Sequence, residues 1–82
     1  MAKTLIGKIT HFFPKVGVAV VNLSGTMKVG DKISIEKDDE VMEQVVKSMQ
    51  VEHKNIQIAK PGDDVGMKTD APVKEGSLVY KL

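Results

Sequence analysis

Apolar residues in this chain come in short, β-branched stretches, each cut off by glycine, proline or aspartate. The longest purely apolar run is Val18-Ala19-Val20-Val21, far short of a membrane span. β-Branched side chains suit a pleated, half-buried surface, and frequent turn residues keep the strands short. The expected class is all-β, and the pattern argues for a small barrel or sandwich. Thr4 to Phe13 reads as a first strand, broken by Pro14-Lys15. A valine-rich run from Val16 to Leu23 follows, bounded by Asn22, Ser24 and Gly25. Asp31 to Glu36 alternates apolar and polar at period two, the cleanest strand signal in the chain. Ile56-Gln57-Ile58, Asp64 to Thr69 and Ser77 to Lys81 read as further strands. Between them, Val29-Gly30-Asp31 and Lys60-Pro61-Gly62-Asp63 carry turn chemistry, Lys37-Asp38-Asp39-Glu40 is a charged turn, His53-Lys54-Asn55 a bend, and Asp70 to Gly76 a loop.

The segment from Val41 to Val51 is ambiguous, with a composition that slightly favours a helix. As a helix, Val41, Val45 and Met49 fall four apart on one face; as a strand, Val41, Val45, Met49 and Val51 share a face with Glu43 and Lys47. Length bounds the rest. With 82 residues the expectation is a single domain spanning 1–82. A chain of this size buries roughly 60% of its unfolded surface.

Composition excludes several kinds of chemistry. There is no cysteine, hence no disulfide, thiolate zinc site or cysteine nucleophile. Twelve lysines and no arginine face eleven acidic residues, for a net charge of +1. Balanced charge removes the simplest argument for a strong non-specific nucleic-acid binder, and guanine readout through an arginine fork is impossible. The start, Met1-Ala2-Lys3-Thr4-Leu5-Ile6-Gly7, lacks the long apolar stretch of a signal peptide. The expected location is cytoplasmic, with no membrane partner.

Three stretches together carry a family resemblance. Gly25-Thr26-Met27-Lys28-Val29-Gly30-Asp31-Lys32-Ile33-Ser34-Ile35, Ala59-Lys60-Pro61-Gly62-Asp63-Asp64-Val65-Gly66-Met67 and Lys74-Glu75-Gly76-Ser77-Leu78-Val79 stand in order and at suitable spacing. They resemble turns and strands of the translation-factor β-barrel, the second domain of elongation factor Tu and elongation factor 1-alpha. The resemblance implies a small closed antiparallel barrel of six or seven strands. It also implies a strand between Val41 and Val51, with Val46-Lys47-Ser48-Met49 matching the family's pattern. The phosphate loop of the parent GTPases is absent, so no GTP is expected on this chain. Where the parents carry an arginine and glycines at the first hairpin, this chain has Pro14-Lys15-Val16-Gly17-Val18-Ala19-Val20.

Catalytic constellations are not apparent. His11 and His53 have no further ligands at metal-binding spacing. The pairs within Asp38-Asp39-Glu40 and Asp63-Asp64 fall in turns, where water solvates them. No serine has a nucleophile-elbow context. The expectation is therefore a non-enzyme without metal or cofactor. Phe12 and Phe13 are adjacent, so on a strand they point to opposite faces. An outward aromatic beside His11 and Lys15 would stack on a base or fill a partner's pocket. Lys15, Lys28, Lys54 and Lys60 fall in expected turns, and clustered at one barrel end they would meet phosphates. Candidate contact residues are thus His11, Phe13, Lys15, Lys28, Lys54 and Lys60. The resemblance and the turn lysines imply a translation-factor-like module docking on rRNA, tRNA or a ribonucleoprotein. The alternative is a protein-interaction accessory barrel with no RNA role, of the kind the resemblance implies in peptidase-like and translation-like chains.

Overall fold

The computed structural model describes residues 3–82. Among them there are ten strands and no helix. They are β1 (Thr4–Phe13), β2 (Val18–Leu23), β3 (Met27–Lys28), β4 (Lys32–Lys37), β5 (Glu40–Val45), β6 (Met49–Val51), β7 (Lys54–Ile56), β8 (Ile58–Ala59), β9 (Asp64–Lys68) and β10 (Leu78–Lys81). The pairings are antiparallel. Eight strands form one sheet in the order β5-β4-β10-β1-β2-β9-β6-β7, while β3 and β8 pair separately. That order has two ends, β5 and β7. Strand pairing therefore does not close the sheet into the expected barrel, and the expected six or seven strands fall short of the ten observed.

The central strand β1 contains two irregularities. Its inward residues, Ile6, Ile9 and Phe12, are three apart instead of two. A register shift between Leu5 and Gly7 against β10, and another between Ile9 and His11 against β2, each insert one residue. Each extra residue bends the strand and re-aims the side chains beyond it. Phe12 therefore packs on the core while Phe13 stays 52% exposed.

The segment from Val41 to Val51 is strand, as the family pattern implied, but it is interrupted and its inner face differs from the expected one. Val46 to Ser48 lie between β5 and β6, so the expected match over Val46-Lys47-Ser48-Met49 is not a continuous strand. Gln44, Val46 and Met49 are buried, whereas Val41 and Val45 are exposed. The backbone explains the choice: pairing of β5 with β4 turns Met42 and Gln44 inward beside Ile35 and Ile33. Val46 is then held by its own N–H to the Asp31 carbonyl (2.8 Å) and by its carbonyl to the Gly30 N–H (2.8 Å).

Lys28-Val29-Gly30-Asp31 and Lys60-Pro61-Gly62-Asp63 form matching turns. In each, the aspartate carboxylate accepts the lysine N–H, at 2.9 Å for Asp31 and 3.0 Å for Asp63. In each the aspartate N–H reaches the lysine carbonyl at 3.1 Å. The glycines stand at φ 98° and 93°, the left-handed value that a type II turn needs at its third residue. The strands leading into the two turns, β3 and β8, pair with each other, burying Met27 against Ala59.

Candidate functional site

The six residues singled out from the sequence occupy three places. His11 and Phe13 lie near the end of β1 with ring centroids 6.4 Å apart, and Lys15 follows in the exposed β1–β2 turn. His11 Nδ1 is 3.5 Å from a Glu75 carboxylate oxygen, with both side chains largely exposed. Lys28 and Lys60 open the two matching turns beside the β3–β8 pair. Lys54 is not in a turn: it begins β7, opposite Val51, and the hairpin turn is Glu52-His53. The lysine side chains at 15, 28, 54 and 60 are exposed, on different hairpins and turns.

A concavity of about 290 Å³ lies between the β4–β5 hairpin and the segment from Pro72 to Ser77. Its lining is apolar at Ile35, Val41, Met42, Pro72 and Val73 and charged at Lys37, Glu40 and Lys74. Ile35 is buried in the core, and Met42 and Val73 pack against it. The far wall is tied to β1: Gly76 N–H donates to the Ile9 carbonyl (2.7 Å), and Ile9 N–H donates to the Ser77 carbonyl (2.8 Å). Within that wall the buried Ser77 hydroxyl donates to the Lys74 carbonyl at 2.6 Å.

Lys37 is held differently from most lysines of the chain. It is partly buried, and its ammonium donates to the Glu75 carbonyl at 2.9 Å. A Cβ on Gly76 would stand 2.9 Å from that nitrogen and push the ammonium aside, and the φ of 88° at Gly76 already favours glycine. Among the described residues the other partly buried lysine, Lys81, sits 3.5 Å from an Asp31 carboxylate oxygen. Among the described residues Lys37 has no such carboxylate partner, whereas Lys74 meets Glu40 at 3.1 Å. Sequence reading missed this pocket because its walls come from β4, β5 and residues 72–77. Lys37 reads locally as one charge in a solvated turn.

On the neighbouring face, Glu36 accepts hydrogen bonds from the Lys3 ammonium and from the buried Ser34 hydroxyl (2.8 Å). The Lys3 contact first, and Ser34 second, hold its carboxyl below the usual carboxylate range. No group of three or more His, Cys, Asp or Glu residues is placed to hold a metal ion among the described residues.

No protein-family model matches the chain. It is 46% identical over 81 residues to an uncharacterized protease of Methanocaldococcus jannaschii, a match covering 98% of this chain. The chain spans about one fifth of that relative's length. Two solved structures of the C-terminal domain of a protein assigned as a U32 peptidase, from Geobacillus thermoleovorans, share the fold. Their TM-scores are 0.88 and 0.90, each at 21% identity. The first alignment covers 94% of this chain and 98% of that domain; the second covers 96% and 92%.

These findings overturn the resemblance to the translation-factor barrel, and with it the expected translation and RNA-docking role. The matching turns supply the physical reason. The Lys-x-Gly-Asp pattern that carried the resemblance occurs twice in this one chain with the same geometry. It reports a type II turn closed by an aspartate, which any fold with such a turn will select.

Proposed function

We propose that the chain acts as a non-catalytic accessory domain of the kind found at the C-terminus of U32 peptidases. The observation that carries this reading is the end-to-end match to one fifth of an uncharacterized protease, at 46% identity. The fold likeness to a peptidase's C-terminal domain supports it. In this reading residues 1–82 fold as one unit, and peptide-bond cleavage belongs to other parts of the larger enzymes.

In this reading the unit is a barrel whose closure does not rest on strand pairing alone. Glu40 to Val51 lies at both sides of the gap: its first half, β5, pairs with β4, and its second half, β6, pairs with β9. The Gln44 side chain of β5 reaches across the gap to the end of β9. Its amide donates to the Lys68 carbonyl (3.1 Å), and its oxygen accepts the Asp70 N–H (3.0 Å).

The test is to purify the chain and incubate it with labelled casein and fluorogenic peptides while following its unfolding by calorimetry. A single cooperative transition and no cleavage are expected. Cleavage that co-purifies with the chain through successive columns would sink the reading.

A further inference from the structure

We propose that the concavity between the β4–β5 hairpin and residues 72–77 binds the C-terminal residue of an extended polypeptide. The apolar side chain would enter the pocket, and the carboxylate would meet Lys37.

Three observations carry this. First, the charge is complementary. Lys37 is the one partly buried lysine, among the described residues, that lacks a carboxylate partner. An ammonium carries three donors. One of those of Lys37 is used on the Glu75 carbonyl, which fixes its position and leaves the others available. The other lysine on the rim, Lys74, is already paired with the Glu40 carboxylate at 3.1 Å, so Lys37 is the charge left to meet an anion. Second, the space is amphipathic and of the right size. About 290 Å³ lined by Ile35, Met42 and Val73 takes one aliphatic side chain with its carboxylate at the rim. Third, the backbone next to the pocket suits an extended chain. Val41 both lines the pocket and belongs to β5, an end strand of the sheet, and it is 60% exposed. A strand edge offers a row of N–H and C=O groups that an added strand can pair with. A free apolar acid would satisfy the first two features and leave the third unused, so the occupant is a polypeptide end.

The site lies wholly on this chain. Its failure would leave the accessory-domain reading standing, and cleavage by the isolated chain would leave the site standing. The experiment titrates the ¹⁵N-labelled chain with three probes: acetyl-Ala-Val-Leu with a free carboxylate, the same tripeptide as its C-terminal amide, and acetyl-leucine. The free-acid tripeptide is expected to shift the amides of Val41, Met42, Val73, Lys74 and Ser77. A hydrogen bond to a charged group corresponds to about ten- to a hundredfold in affinity, and the amide should bind weaker by that factor. Acetyl-leucine should also bind more weakly than the tripeptide acid. Lys37→Met should abolish the preference of acid over amide, and Lys37→Arg should keep it. Equal binding of acid and amide overturns the proposal, as does equal binding of acetyl-leucine and tripeptide. So does the absence of shifts at the pocket up to millimolar peptide. The comparison of probes needs no variant, so it stands even where Lys37→Met fails to fold.

Discussion

Gly7 sits in β1 where an added Cβ would meet Val21 Cγ1 at 2.7 Å and the Asn22 carbonyl oxygen at 3.0 Å. The second contact is backbone in the paired strand β2 and has little freedom to move aside. Gly7→Ala should therefore cost about 1–3 kcal/mol, the usual penalty for overpacking, read as a lower urea midpoint with an unchanged slope. Glu36 gives a second expectation at this scale. Its carboxyl is held below the usual range by the Lys3 ammonium and the Ser34 hydroxyl. A lowered folded-state pKa contributes stability that is present above the unfolded-state value, about 4.3, and is lost as pH falls through the folded value. Melting temperature followed from about pH 6 down to about pH 2 should thus fall more steeply for the native chain than for Glu36→Gln. Equal slopes would show that the two hydrogen bonds do not favour the charged form. Of these two residues, Glu36 was visible in the sequence only as the polar partner in an alternating strand. Its link to Lys3 crosses 33 positions and exists only once β1, β10 and β4 lie side by side.

At the scale of elements, the hairpin of β6 and β7 is the clearest case of structure overriding local preference. Val51 pairs with Lys54, leaving a two-residue turn in which Glu52 has φ 51° and His53 φ 65°. Two left-handed residues in succession mark a type I′ turn, whose favoured sequence is Asn-Gly. Left-handed backbone costs an ordinary residue roughly 1–2 kcal/mol. Changing Glu52-His53 to Asn-Gly should accordingly stabilise the chain by about 0.5–1 kcal/mol, after the entropy glycine costs in the unfolded state. For a domain of this size that is a rise of roughly 2–8 °C in melting temperature by calorimetry. A fall would mean that the two side chains make contacts outweighing the strain. The Gly30 and Gly62 turns were legible because glycine and aspartate announce them, whereas Glu-His announces nothing. The two bulges in β1 were hidden for a related reason: a spacing of three between Ile6, Ile9 and Phe12 fits no regular strand until pairing with two neighbours inserts the extra residues.

At the scale of the molecule, the decisive feature is the gap between β5 and β9 and the buried side chain that crosses it. Gln44 is 5% exposed and satisfies one backbone acceptor and one donor flanking Thr69. Gln44→Leu keeps the volume but leaves the Lys68 carbonyl and the Asp70 N–H without this partner. The expected loss is about 1–3 kcal/mol, with faster hydrogen exchange at Asp70. Unchanged exchange at Asp70 would mean that the gap is held by the surrounding apolar packing alone. From sequence, Gln44 looked like one more polar residue in a segment of undecided structure, with Val41 and Val45 as the apolar face. The pairing of β5 with β4 reversed that assignment, because a shift of one residue moves every side chain to the other face.

The sequence by itself determined the all-β class, most strand positions and the two glycine–aspartate turns. Those depend on β-branched content, period-two alternation and backbone freedom, each a property of a few neighbouring residues. Only the tertiary structure decided which face of Glu40 to Val45 is inward, that Phe12 packs on the core while Phe13 does not, and that Lys37 stands over a pocket. Each of those depends on which strands become neighbours, and strand pairing joins residues tens of positions apart.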